Sequence, residues 1–98
     1  MTIDKKLENE VLTMKVMGRV DSSNSEQLET AVKESIGGIK EFIWDLDGLE
    51  FISSAGLRVI INAQKTMNSQ GKMKFINVNR LIMEVFDITG LVDIFTIE

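Results

Sequence analysis

The residues of this chain best suited to chemistry form a short run of small side chains, Ser53-Ser54-Ala55-Gly56, followed by Arg58. The run lies where an apolar segment passes into an amphipathic one, which predicts the beginning of a helix. A helix N-terminus presents unpaired backbone N–H groups and a partial positive charge, and both can stabilise a phosphate on a nearby serine. Ala55 and Gly56 leave little bulk around the Ser54 hydroxyl, and Arg58 follows one helical turn later. These features indicate a serine that the active site of another protein can approach and phosphorylate.

The same residues also fit a purely structural role. Ser53 or Ser54 can serve as the N-cap of the helix, and Gly56 can be small to let the helix pack closely on a sheet. Taken alone, the four-residue run is a weak motif that leaves both interpretations open.

A hydrolytic role for Ser54 is excluded by the rest of the sequence. The nucleophile elbow G-x-S-x-G would require glycine at position 52, where Ile52 stands. The chain contains no histidine to activate the serine, and no lysine lies near this segment. Cysteine is absent as well, which excludes disulfides, thiolate chemistry and cysteine-ligated zinc. We therefore predict no catalytic residue and no enzymatic activity.

Three carboxylates, Asp45, Asp47 and Glu50, precede the serine run and raise the question of a magnesium site. Carboxylate oxygens suit Mg²⁺, but this spacing matches no recognisable ion-binding loop. A solvated acidic rim is the favoured interpretation. The sequence predicts no metal site and no cofactor.

Charge and hydropathy exclude two further classes of protein. Fifteen acidic and 11 basic residues give a net charge of −4, and only Lys5 and Lys6 are adjacent basic residues. The chain therefore lacks the basic stripe that follows a phosphate backbone, and we predict no nucleic-acid binding. No apolar run is long enough for membrane insertion, and the first residues show no secretory signal. A cytoplasmic location is expected.

The elements that position the serine run begin with a predicted pair of strands. Residues 2–9 fit a short first strand, and Val11–Met17 fits a second strand that pairs antiparallel with it. Gly18 is expected to turn the chain, and Ser23 with Glu26 has the capping-box spacing of a first helix. The second strand directs alternate apolar residues to one face: Leu12, Met14 and Val16.

The first helix is predicted from apolar residues that recur at helical spacing, and it ends at Gly37-Gly38. Its core-facing residues are Leu28, Ala31, Val32 and Ile36. Residues 42–46 are nearly continuous in apolar character, which is typical of a central strand covered on both faces. A turn at Asp47-Gly48 then leads through the segment that contains the serine run into a second helix.

A third helix is predicted to begin at Asn79 and to end at Gly90. Between the second and third helices, residues 73–77 fit a strand, and residues 93–97 fit a last short strand. Strands separated by helices pair in parallel through right-handed crossovers. The predicted fold class is α/β: a single domain, 1–98, with a mixed and mostly parallel β-sheet and α-helices packed on it.

In order and spacing, these patterns resemble the STAS domain of bacterial anti-sigma factor antagonists. The most specific segments are G-x-V-D at residues 18–21 and L-x3-E-F-I-x-S-x-G-L at residues 46–57. The likeness extends over essentially the whole chain. The family pattern around the serine runs Asp-Ser-Ser-Gly, and this chain has Ser53 in place of the acid and Ala55 in place of the second serine.

The resemblance implies a phosphorylation switch. In that family, the unphosphorylated antagonist binds an anti-sigma factor with serine kinase activity and frees the sigma factor. Phosphorylation of a serine at the start of the second helix breaks the complex, and a serine phosphatase restores it. By position, Ser54 is the implied acceptor, with Ser53 as the second choice. The implied partner-binding residues are Asp21, Ser22, Ser23, Ile52, Ser53, Ser54, Ala55, Gly56, Leu57 and Arg58.

Two other functions are also compatible with the sequence. A STAS domain can act as a constitutive scaffold subunit of a transporter or signalling complex. The loops at the same sheet edge can also bind a small molecule or nucleotide, which would make the protein a sensor.

Overall fold

A computed structural model describes all 98 residues and shows a mixed five-stranded sheet with one face buried under helices. The strands are β1 (Thr2–Glu8), β2 (Val11–Val20), β3 (Glu41–Asp45), β4 (Leu49–Ile52) and β5 (Lys72–Ile76). The helices are α1 (Ser25–Ser35), α2 (Ser54–Asn68) and α3 (Arg80–Ile88), and a 3₁₀ turn follows at Leu91–Asp93. The predicted α/β class with a mixed, mostly parallel sheet is confirmed.

The sheet is organised around the long strand β2. β1 pairs with it antiparallel through a tight hairpin in which Asn9 and Glu10 have φ of +51° and +65°, as a type I′ turn requires. β3 pairs in parallel with the first half of β2, and β4 pairs in parallel with its last three residues. β5 lies outside β3, so the order is β1-β2-β3-β5.

One face of this sheet forms the hydrophobic core. Alternate residues of the strands point into it, and Trp44 stacks between Phe42 and Phe75 with ring centroids 4.5 and 6.2 Å away. The opposite face is half-exposed, as Ile43 and Lys74 show. The prediction that β3 is covered on both faces is therefore wrong, because the helices all pack on one side.

The structure also corrects the path of the chain at Gly18. This glycine does not end β2. It has φ of +86° and sits at a register shift between Gly18 and Arg19, beyond which the strand continues to Val20. A bulge of this kind changes the twist of a strand and lets it accept a new neighbour. The new neighbour is β4, which the sequence patterns did not reveal.

The predicted helix caps and the predicted last strand agree with the structure only in part. α1 starts after Asn24 with no side-chain cap, so the capping box of Ser23 and Glu26 does not form. Asn79 caps α3 as predicted, since its side chain accepts a hydrogen bond from the Ile82 N–H at 2.9 Å. The last predicted strand is wrong: a 3₁₀ turn occupies its beginning, and only Ile97 bridges to β5.

Candidate functional site

The two adjacent serines have different environments at the start of α2. Ser53 is the N-cap, with extended backbone angles of φ −86° and ψ 173° and a hydroxyl that accepts a hydrogen bond from the Gly56 N–H at 3.3 Å. Ser54 is the first helical residue, is exposed, and has a hydroxyl with no hydrogen-bond partner in the protein. The capping role therefore belongs to Ser53, and the free hydroxyl belongs to Ser54.

The start of α2 is fixed against the carboxyl ends of β2 and β4. The Ser53 N–H donates to the carbonyl of Val20 at 2.8 Å. A Cβ on Gly56 would lie only 2.7 Å from the Cγ1 atoms of both Ile52 and Val20. Glycine is thus required for the close contact between helix and sheet, and this contact holds Ser54 at a defined position on the surface.

The loop after Val20 lies beside this helix start and is held by its own hydrogen bonds. The Asp21 carboxylate accepts from the Ser23 hydroxyl at 2.5 Å and from the Ser23 N–H at 2.9 Å. These bonds, with a smaller contribution from the positive charge of Arg19, hold the pKa of the Asp21 carboxyl below its ordinary value of 3.8. The Asn24 side chain accepts from the Asp21 N–H and donates to the carbonyl of Arg19. The loop therefore presents an ionised carboxylate at neutral pH.

A cation lies on the same helix face as Ser54. Arg58 is exposed. On one side it lines a shallow groove that contains Ser54, and on the other side it lines a second depression together with Glu26 and Glu29. None of the ion pairs of the protein includes Arg58. The groove that contains Ser54 is lined by Ser54, Leu57, Arg58, Ile61, Thr89 and Leu91.

The sequence interpretation missed the contribution of the third helix and the 3₁₀ turn to this groove. Thr89 is the C-cap of α3, and Gly90 follows it with φ of +77°. This left-handed residue reverses the chain and brings Leu91 into the groove. The sequence predicts a helix end at Gly90, but the direction of the chain after it depends on tertiary packing.

The predicted partner-binding residues fall into two groups. Asp21, Ser22, Ser23, Ser53, Ser54, Ala55 and Arg58 are exposed or half-exposed at the same corner of the molecule. Ile52 and Leu57 are only 5% and 8% exposed, and Gly56 is buried. Ile52 and Gly56 therefore support the surface from below, and only the edge of Leu57 reaches the groove.

Asp45 and Asp47, the two carboxylates before β4, already have polar partners within the protein. The Asp45 carboxylate accepts from the Asn77 amide and from the Asp47 N–H, both at 3.0 Å. Asp47 in turn lies 3.8 Å from the Lys15 ammonium. No cluster of three or more histidine, cysteine or carboxylate side chains is arranged around a common point.

No helix of the protein combines the length and the hydropathy needed to cross a bilayer.

The comparisons with known proteins agree with one another on the family. The model of the STAS domain family matches residues 2–98. BtrV of Bordetella bronchiseptica, assigned as an anti-sigma factor antagonist, is 36% identical over 84 residues, which cover 84% of this chain and 72% of BtrV. The anti-sigma F factor antagonist of Lysinibacillus sphaericus is 25% identical over 85 residues, 84% of this chain and 73% of its own length.

Solved structures show the same fold. An anti-sigma factor antagonist from Mycobacterium paratuberculosis superposes with a TM-score of 0.89 at 20% identity over 98% of this chain and 83% of that chain. Unphosphorylated SpoIIAA gives a TM-score of 0.84 at 19% identity over 99% of this chain and 88% of its own. With a family match over nearly its whole length and a relative above 30% identity, the chain belongs to the STAS domain family and, within it, to the anti-sigma factor antagonists.

Proposed function

We propose that this protein docks, in its unphosphorylated form, on an anti-sigma factor with serine kinase activity and thereby releases a sigma factor. Phosphorylation of Ser54 then ends the interaction, and a serine phosphatase reverses the modification. The observation that carries this proposal is the division between the two serines: Ser53 is used to cap α2, and Ser54 presents an unbonded hydroxyl.

The position of Ser54 suits a phosphate acceptor. The first turn of α2 provides backbone N–H groups and the positive end of the helix dipole, which together stabilise an added anion. The half-exposed Ala55 has only a methyl group, so an approaching kinase meets little obstruction beside the hydroxyl. The exposed Arg58, which lines the same groove, adds a positive charge on the same helix face.

The physical effect of phosphorylation lies at the interface and not in the fold. A phosphoserine brings about −1.5 to −2 charges at pH 7. A docked partner would have to desolvate this charge on a surface that also carries the ionised Asp21, with Glu26 and Glu29 lining the depression on the other side of Arg58. A penalty of about 3 kcal/mol weakens a complex by a factor of roughly 100 or more.

The comparison structures support a switch that keeps the fold. SpoIIAA has been solved in unphosphorylated and in phosphorylated form, and both match this chain, with TM-scores of 0.84 and 0.78. In this proposal, the protein acts as a binding partner and as a substrate of another enzyme. It uses no catalytic residue or cofactor of its own, and it needs neither nucleic acid nor membrane insertion for this role.

The acceptor assignment is tested by incubating the protein with its kinase partner and ATP and measuring intact mass. We expect one added phosphate, which peptide mapping places on Ser54. Ser54→Ala should abolish the addition, and Ser53→Ala, which removes the neighbouring hydroxyl, should retain it. Incorporation that persists in Ser54→Ala and is lost in Ser53→Ala would show that the other serine is the acceptor.

A further inference from the structure

The two edges of the sheet differ in whether their outer backbone groups are hydrogen-bonded. At the β5 edge, the chain after the 3₁₀ turn returns and pairs with Phe75, which donates to the carbonyl of Thr96 at 2.9 Å and accepts from the Glu98 N–H at 2.9 Å. At the opposite edge, β1 pairs only with β2, and six of its seven residues are exposed. The backbone groups on the outer side of β1 thus have no partner in the chain.

We propose that β1 is a self-association edge, on which the β1 strand of a second copy of this protein pairs antiparallel with Lys5 opposite Lys5. The two-fold axis of such a pair stands perpendicular to the sheet and keeps each side chain on its own face. In this arrangement, two residues that lie directly opposite each other must point their side chains to the same face of the sheet. This condition allows only registers in which the two residue numbers differ by an even number.

Charge complementarity selects one register among these. With Lys5 opposite Lys5, Asp4 lies opposite Lys6 twice, Ile3 lies opposite Leu7 twice, and Thr2 lies opposite Glu8. Opposite charges in directly facing positions favour pairing, and like charges oppose it. A shift by one step in either direction puts Asp4 opposite Asp4, or Lys6 opposite Lys6 with Asp4 opposite Glu8. The Lys5 register sets two Asp4–Lys6 pairs of opposite charge against one Lys5–Lys5 pair of like charge, whereas each neighbouring register has like-charge pairs and no pair of opposite charge.

The side chains of β1 are available for this pairing. Asp4 forms no ion pair within its own chain, and Lys6 is held only by the exposed Glu8 at 3.0 Å. Leu7 is 60% exposed, which leaves an apolar surface that Ile3 of the second copy would cover. Two Asp4–Lys6 pairs would flank one side of the sheet, and two Ile3–Leu7 pairs the other.

The association is expected to be weak. The central pair of Lys5 side chains repels, and a strand of seven residues buries an area at the low end of specific interfaces. Dimers should therefore appear as the protein concentration approaches about 1 mM and dissociate on dilution. Lys5→Thr should strengthen the dimer by roughly tenfold, since it removes the repulsion and adds a β-branched residue at the centre.

A charge exchange tests the register directly, with sedimentation equilibrium as the measurement. Asp4→Lys places a lysine opposite Lys6, and Lys6→Asp places an aspartate opposite Asp4, so each variant alone should dimerise at least about tenfold more weakly than the original protein. An equimolar mixture of the two should form a mixed dimer, because the facing charges at these two positions are then complementary. The double variant Asp4→Lys/Lys6→Asp keeps the net charge and should dimerise like the original chain.

Thermal unfolding of each variant is the control for folding, because Asp4 also faces Lys15 across the hairpin. A protein that stays monomeric up to about 1 mM, in its original form and as Lys5→Thr, would overturn the proposal. A dimer that persists unchanged in Asp4→Lys and Lys6→Asp would overturn it as well, because the association would then use another surface.

Discussion

At the scale of single residues, the site depends on two serines of identical chemistry that the backbone separates into two roles. Ser53 has extended backbone angles and lies outside the helix, so its hydroxyl reaches forward to the Gly56 N–H. Ser54 has already entered the helix, and its hydroxyl projects to solvent. The sequence left this assignment open, because either serine satisfies the preferences of an N-cap and only the exact start of α2 decides between them.

The division of roles predicts different stability effects for two equivalent substitutions. Ser53→Ala removes the cap of α2 and should lower the free energy of unfolding by about 1 kcal/mol. Ser54→Ala removes an exposed, unbonded hydroxyl and should change it by less than about 0.5 kcal/mol. Urea denaturation of the two variants beside the original protein measures both values. Equal losses would contradict the assignment of the cap to Ser53.

Asp21 provides a second test at this scale. Because its lowered pKa depends first on the Ser23 hydroxyl, Ser23→Ala should raise the pKa of Asp21 towards its ordinary value. A depressed pKa in the folded state means that the hydrogen-bonded loop is stabilised above the ordinary pKa of an aspartate. That contribution is lost as the pH falls through the lowered value. Carboxyl NMR titration of both proteins checks the shift, and an unchanged Asp21 pKa would show that the hydroxyl has no such influence.

At the scale of elements, the alternating strands and the helix stripes could be predicted because each pattern repeats over several residues. β2 directs Leu12, Met14 and Val16 into the core as expected, and Gly90 follows the end of α3 as predicted. The short strand β4 could not be predicted. Its four residues alternate poorly, since Glu50 and Phe51 are both exposed, and Phe51 instead packs under the Arg19 guanidinium at 4.4 Å.

The bulge at Gly18 is a second feature that the sequence pattern could not predict. A glycine after an alternating run predicts a turn, and here it instead accommodates a bulge inside a continuing strand. The distinction is made by β4, which pairs with β2 beyond the bulge and is contributed by a distant part of the chain. Pairing between distant segments leaves no local signal at the glycine itself.

The contact between α2 and the sheet gives a prediction at this scale. Gly56→Ala adds a methyl group 2.7 Å from two branched side chains that are close to their backbones, Val20 and Ile52. Overpacking of this kind should lower the free energy of unfolding by about 1–3 kcal/mol, although alanine favours a helix over glycine. Gly37→Ala is the matched control, because nothing lies within 4 Å of its added Cβ. Thermal or urea unfolding of both variants compares them, and equal stability would contradict the close contact.

At the scale of the whole molecule, the fold separates a buried sheet face, which carries the helices, from one corner where the predicted partner-binding residues lie. β2 and β4 end at this corner, α2 starts there, and the end of α3 borders it. The family resemblance implies that the loop at Asp21 and the segment around Ser54 border one partner-binding surface, which stays a prediction. The residues after α3 were missed, because only the packed fold brings Thr89 and Leu91 next to Ser54.

The size of the core explains why a modification at this corner need not disturb the fold. Twenty-three buried hydrophobic residues form a single cluster, and Ser54 is outside it. A phosphate at the helix start would add charge to the proposed docking surface and leave the core contacts unchanged. The unmodified and modified proteins should therefore differ in partner binding far more than in stability.

The most direct test of the central claim is a calorimetric titration of the anti-sigma factor with the unmodified protein and with the protein phosphorylated at Ser54. We expect the phosphorylated form to bind at least about 100-fold more weakly. Ser54→Ala, which carries no charge, should bind like the unmodified protein and serve as the control. Equal affinities for the phosphorylated and unmodified forms would contradict the account and would favour a constitutive scaffold.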